Sequence, residues 1–213
     1  MPTSSDTTGR VREHFRKQAF SFDALYDEDH AVQRFLRPGL FNRRELALAV
    51  AREFDAPAVL DVGGGSGRIG EPILDAGASR YVDVDLSDTM LDLARERLGR
   101  FGDKVELIQG DFLTADLGAP FDIVLALGYF DYIEDAAAHI RRIGEVCSRA
   151  AVASFPRWTW TKGPIRKLRY EVINNCPIYD YTGDGVSALF KDAGFARVEL
   201  HPGKSGFLVD ARK

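Results

Sequence analysis

The segment Asp61-Val62-Gly63-Gly64-Gly65-Ser66-Gly67 puts an acid, a hydroxyl and four glycines within seven residues. The apolar pair Val59-Leu60 leads into it, and a helical pattern (Ile69, Ile73, Leu74) follows. Strand, glycine loop and helix together lay a nucleotide-like ligand against a helix N-terminus. Glycines at 63, 65 and 67 remove side chains that would hold a ligand off the backbone, and they permit left-handed turns. Asp61 suits a ligand that carries positive charge and sits badly beside a pyrophosphate. Gly65-Ser66-Gly67-Arg68-Ile69-Gly70 also satisfies G-x-G-x-x-G, the dinucleotide fingerprint, with Asp85 at about the expected distance downstream. That fingerprint wants its first glycine directly after the strand, whereas Gly63 and Gly64 intervene.

Acids recur at three further apolar runs. Arg80-Tyr81-Val82-Asp83-Val84-Asp85-Leu86 reads as a strand, with Ser87 capping a helix that contains Met90, Leu91, Leu93, Ala94 and Leu98. Val105–Gln109 alternates and runs into Gly110-Asp111-Phe112. Phe121–Leu127 reads as a buried strand with Asp122 at its entrance. With Asp61, Gly63, Gly65 and Gly67 forming D-x-G-x-G-x-G, the chain resembles the class I S-adenosylmethionine-dependent methyltransferases from about residue 15 onward. The resemblance makes S-adenosylmethionine the cofactor. It implies that Asp85, beside Leu86, accepts both ribose hydroxyls, a task that fits an acceptor-only carboxylate. It gives Asp111 the adenine amine and Phe112 the ring. The backbone carbonyls of Ala126 and Leu127 pass along the methionine end. Asp83 stands where the family often has glycine and reads as a solvated acid at the loop edge. A nicotinamide-dependent oxidoreductase, the remote alternative, leaves Asp61 and Gly110-Asp111 without a role.

The resemblance places Tyr129 to Asp135 nearest the transferable methyl group. Many relatives have histidine where Tyr132 stands, so Tyr132 and Tyr129 are the candidate substrate contacts, joined by His14 swinging in from the N-terminal region. A phenol with an ordinary pKa near 10 is a poor base at neutral pH. His30 has the same reach as His14, His139 reads as an exposed helix residue, and His201 ends a strand far from the crevice. Asp131, Glu134 and Asp135 imitate a divalent-ion cluster, but helix capping is the simpler reading and no metal is expected. Gly128–Tyr132 and Ser154-Phe155-Pro156 resemble the methyltransferases that esterify a magnesium porphyrin propionate.

The elements that must position these residues fit one domain over 1–213. It comprises an N-terminal helical lid (10–53), a cofactor-binding core (54–156), a substrate-side insertion (157–181) and a closing helix and hairpin (182–213). The expected architecture is α/β: a doubly wound, Rossmann-like sheet of seven strands, mostly parallel, with the last strand antiparallel between the fifth and sixth. Helices cover both faces. Phe15, Ala19, Phe22 and Asp23 resemble the family's entrance pattern, in which an aromatic leans over the cofactor; Phe22 holds that place, and Tyr26 follows one turn later. The same residues read equally as a buried stripe. The insertion holds Arg157, Lys162, Arg166, Lys167 and Arg169 with Trp158, Trp160 and Tyr170. If it touches the acceptor, the acceptor is anionic or arrives on an acidic carrier protein; otherwise it is an amphipathic helix with a solvated basic face.

The chain has 213 residues, 45% of them hydrophobic, and a net charge of −4, which gives no reason to expect nucleic acid or an anionic membrane as partner. Its apolar runs are strand-sized, and the first nine residues do not look like a signal peptide. Cys147 and Cys176 read as reduced core cysteines of a cytoplasmic protein. The functional expectation is methyl transfer to a small molecule, at oxygen before nitrogen or carbon. A cofactor-binding cyclase or regulatory subunit is the alternative outside methyl transfer.

Overall fold

The computed structural model of the chain describes residues 9–13, 38–118, 120–157, 177–203 and 206–213. Residues 9–13 are helical. The elements that follow are α1 (Pro38–Ala51), β1 (Ala58–Val62), α2 (Gly70–Asp75), β2 (Arg80–Asp85), α3 (Asp88–Leu98) and β3 (Val105–Gln109). Then come β4 (Phe121–Ala126), α4 (Ala136–Val146), β5 (Cys147–Pro156), α5 (Gly183–Asp192), β6 (Arg197–Pro202) and β7 (Gly206–Arg212). The strands form one sheet in the order β3-β2-β1-β4-β5-β7-β6. Only β7 runs antiparallel to its neighbours β5 and β6, as expected.

Strands buried on both faces explain the near-continuous apolar runs of β1 and β4. On one face, Val59, Tyr81, Ile123 and Leu125 pack with Ala47 and Val50 of α1, Ile73 of α2 and Leu98 of α3. On the other, Leu60, Val82, Val124 and Phe155 pack with Ile140 and Ile143 of α4 and Phe190 of α5. The caps are those read from sequence: Ser87 Oγ accepts from the Met90 amide at 3.3 Å, and the Asp135 carboxylate accepts from the Ala138 amide at 3.2 Å. Thr182 caps α5 by the same geometry. β5 starts three residues earlier than the apolar run suggests. It leaves α4 directly at Cys147 and pairs there with Phe121. Cys147 is buried and free; Cys176 lies outside the described residues.

Two sequence expectations fail here. Asp83 is fully buried, not solvated, because β2 is a central strand with β1 and β3 on either side. His139 is 8% exposed, because Ala136, His139, Ile140 and Ile143 share the inward stripe of α4. Among the described residues no helix is long and apolar enough to cross a membrane.

Candidate functional site

A cavity of about 430 Å³ opens where β1, β2, β3 and β4 end, within the size range of small-molecule pockets. The β1 side is backbone. Gly63, Gly65 and Gly67 have φ of +70°, +64° and +73°, so glycine is required at these turns. Gly63 and Gly65 line the cavity, and a Cβ at Gly63 would come within 2.9 Å of the Tyr129 ring. Gly67 does not face the cavity; its missing side chain admits Leu98 of α3.

Asp85 lies at the cavity edge with both carboxylate oxygens anchored. One accepts from the Gly65 amide at 3.1 Å and the other from the Ser87 amide at 2.8 Å. Each oxygen keeps a lone pair for a ligand hydroxyl. Burial pushes its pKa up to about 6, against the hydrogen bonds that lower it. Leu86, Met90 and Val84 form an apolar floor beside it. Across the cavity, Asp111 accepts from the Leu113 amide at 2.9 Å, and Gly110, Asp111, Phe112 and Leu113 all line the wall.

Asp61 is deeper than the sequence suggests. It is 2% exposed, does not line the cavity, and accepts from the Tyr81 hydroxyl at 2.7 Å. Gly70 makes room for that tyrosine, since a Cβ there would meet the ring at 2.5 Å. Burial pushes Asp61 up to about 7, the Tyr81 bond opposes this, and the Asp85 charge adds to it. Asp61, Asp83 and Asp85 thus crowd three carboxyl groups beneath the glycine loop; burial favours the protonated form of the two deeper ones, and Asp85, which lines the cavity, is the acid placed to meet a ligand. Ala126 and Leu127 are likewise absent from the cavity wall; their side chains pack into the two cores.

The β4 side is aromatic. Gly128 donates its amide to Ser154 Oγ at 2.7 Å, and the 3₁₀ turn Phe130–Tyr132 follows. Phe130 is fully buried and stacks on Phe155, with centroids 4.2 Å apart. Tyr129 and Tyr132 flank it and face the cavity. The carbonyls of Asp131 and Ile133 accept from the Tyr179 amide and the Tyr181 hydroxyl, which fasten the turn to the end of the 157–181 segment. Tyr129 Oη lies 2.8 Å from His139 Nδ1, and the His139 ring stacks near Phe112 with centroids 6.3 Å apart. Burial lowers the His139 pKa, although Asp111 and Asp135 pull it upward. Burial, then Asp111 and Asp85, hold the Tyr129 phenol above its usual range. Arg43 of α1 lies over Gly128 and pairs with Asp131 at 3.8 Å. Val11 and Arg12 also line the cavity.

Sequence reasoning missed Asp83, His139, Ser154 and Arg43. The helical spacing of His139 with Ile140 and Ile143 is the one signal that identifies its buried side. His14, Phe22 and Tyr26 lie outside the described residues, as do 158–176 of the basic insertion. No group of His, Cys, Asp or Glu among the described residues has the geometry to hold a metal ion.

Residues 59–150 match the family described as "Methyltransferase domain". A ubiquinone biosynthesis O-methyltransferase of Azorhizobium caulinodans is 35% identical over 89 residues, 41% of this chain and 35% of the relative. A ribosomal protein L11 methyltransferase of Caldicellulosiruptor saccharolyticus is 30% identical over 113 residues, 53% of this chain and 32% of the relative. The chain therefore spans about a third of the length of these curated relatives. The solved magnesium protoporphyrin IX methyltransferase of Synechocystis, with bound SAH, superposes with a TM-score of 0.78 at 22% identity. That match covers 98% of this chain and 100% of the other, and shows a shared fold.

Proposed function

We propose that this chain is a class I S-adenosylmethionine-dependent methyltransferase that transfers a methyl group to an oxygen of a small molecule. The observation that carries the reading is the anchored Asp85 carboxylate, set at one cavity with the left-handed Gly63 and Gly65 on one side and Asp111-Phe112 on the other. When bound, S-adenosylmethionine supplies a methyl group already activated as an electrophile.

Asp85 accepts the ribose hydroxyls, held in place by the Gly65 and Ser87 amides. Asp111 takes the adenine amine, and Phe112 and Leu86 cover the ring. Gly63 and Gly65 let the backbone approach the ligand. Asp85, ionised above about pH 6, supplies negative charge beside a cationic ligand.

Tyr129 and Tyr132 face the space left for the acceptor. Their hydroxyls orient an acceptor oxygen for in-line attack, the alignment that such a reaction chiefly needs. The acceptor's proton leaves to water or to His139 through Tyr129. The names of the ubiquinone and magnesium protoporphyrin methyltransferases support a small-molecule acceptor, and the first of them an oxygen target. Arg12 in the cavity lining, with the basic residues of 157–169 in the sequence, favours an acceptor that bears an anionic group.

Calorimetric titration with S-adenosylmethionine tests the first claim; no heat of binding at millimolar cofactor would sink it. Formation of S-adenosylhomocysteine with a panel of phenols, carboxylic acids and amines tests the second. Turnover confined to amines would move the target from oxygen to nitrogen, and binding without turnover would favour a regulatory role.

A further inference from the structure

Gly64 differs from its neighbours in the loop. Gly63, Gly65 and Gly67 are left-handed, whereas Gly64 is not among the positive-φ residues, so its backbone alone does not demand glycine. Asp83 excludes a side chain there. A Cβ on Gly64 would lie 2.7 Å from the Asp83 carboxyl carbon and from both of its oxygens. The Gly64 amide instead donates to Asp83 Oδ1 at 3.0 Å. The next amide, Gly65, donates to Asp85 Oδ2 at 3.1 Å. Residues 83 and 85 project from the same face of β2, so alternate acids hold successive amides of the loop.

This arrangement is costly. Asp83 is fully buried, stands beside Asp61 in the β1–β2 register, and has one oxygen without a hydrogen-bond partner among the described residues. Burial first, then Asp61 and Asp85, hold its pKa well above the carboxylate range, and the Gly64 amide opposes them. Tyr81 bonds Asp61 rather than Asp83, and the Arg97 guanidinium of α3 bonds the Ser66 carbonyl. What Asp83 secures in return is the backbone position of Gly64.

We propose that Asp83 is a positioning residue for the cofactor loop and that Gly64 is a glycine in order to admit it. Asp83 acts through the Gly64 amide, and Asp85 alone meets the ligand. The ligand half of this inference rests on the proposed function, while the interlock of Asp83 with Gly64 stands without it.

Four full-length variants test the idea by thermal melting and by titration with S-adenosylhomocysteine: Asp83→Asn, Asp83→Gly, Gly64→Ala and the double change Asp83→Gly with Gly64→Ala. Gly64→Ala should lower Tm by about 5 °C or more in the natural chain, yet by less than about 2 °C in the Asp83→Gly chain. Should Gly64→Ala not fold alone, its tolerance in the Asp83→Gly chain supports the interlock equally. Asp83→Gly should weaken S-adenosylhomocysteine at least about tenfold. Asp83→Asn, which keeps an oxygen for the Gly64 amide, should stay within about threefold of the natural chain. Equal effects of Gly64→Ala in both backgrounds would overturn the interlock. Unchanged binding by Asp83→Gly, or equal loss in Asp83→Asn, would overturn the positioning role. If the natural chain itself binds no S-adenosylhomocysteine, the cofactor reading falls, and the melting cycle alone decides whether Asp83 holds the loop.

Discussion

The two walls of the cavity are built by opposite means. The β1–β2 wall is backbone, with left-handed glycines and successive amides pinned by the acids Asp83, fully buried, and Asp85, at the cavity edge. The β4 wall is side chain, with Tyr129 braced on Phe130, which packs against Phe155 and Tyr181, and Tyr132 beside it in the lining. The first wall fixes positions to within hydrogen-bond tolerances, and few residue types can replace its members. The second fixes a shape, which many aromatic arrangements can supply. A cofactor common to many enzymes fits the first kind of wall, and an acceptor particular to one enzyme fits the second.

Removing the brace of the aromatic wall should have the largest effect. Phe130→Ala empties a fully buried site between Phe155, Tyr181 and Tyr129, at a cost of about 3–5 kcal/mol in urea unfolding. A loss below about 1 kcal/mol would mean that the turn after β4 does not rest on the core, and the contrast between the walls would weaken.

On the backbone wall the cost should fall on binding. Asp85→Ala should lose about 1.5–3 kcal/mol of S-adenosylhomocysteine affinity by calorimetry, the size of hydrogen bonds to a charged partner. Fold stability should change little, because the half-buried carboxyl is already disfavoured in its ionised state by the desolvation it suffers. Retained affinity would mean that the ribose lies elsewhere.

A pH titration gives a smaller effect with a definite sign. Asp85 is pushed up to about 6 in the free protein, and ligand hydroxyls favour its ionised form. Affinity should therefore be constant above about pH 7 and fall as pH drops through 6, by about tenfold at pH 5. For the fold itself the sign is opposite. A raised carboxyl pKa favours the folded state at low pH, and that contribution is lost as pH rises toward 6. Affinity that improves on acidification would assign the ligand contact to some other group.

The contrast also explains what was legible in the sequence. Gly63, Gly65, Asp85 and Asp111 stand out because glycine and aspartate at strand ends are poor choices for anything except a turn or a ligand. The antiparallel last strand between the fifth and sixth was expected from the family resemblance, and the sheet has it. Asp83 was misread because an acid in an alternating strand looks solvent-facing until the neighbours on both sides are known. Asp61 was recognised but placed too near the ligand, since sequence spacing does not show that Tyr81 turns its carboxylate away from the cavity. The Tyr129–His139 contact and the Ser154 bond to Gly128 join separate elements and leave no local signature.

Tyr129→Phe is the smallest change and separates the two walls most cleanly. It removes one hydroxyl and keeps the ring over Gly63 and edge-on to Phe112. His139 loses its partner at Nδ1, but it lines the cavity, so water can reach it and the full cost of a dry, unpaired nitrogen is avoided. Stability should drop by about 0.5–1.5 kcal/mol, a Tm shift of about 1–6 °C for a chain of this size. If the aromatic wall works by shape on the cofactor side, S-adenosylhomocysteine affinity should stay within about twofold. Turnover with an acceptor is where the hydroxyl should show, as a fall in kcat at unchanged cofactor affinity. A tenfold loss of cofactor affinity would instead make Tyr129 a polar ligand of the cofactor, and the β4 wall would then work as the β2 wall does, through hydrogen bonds rather than form.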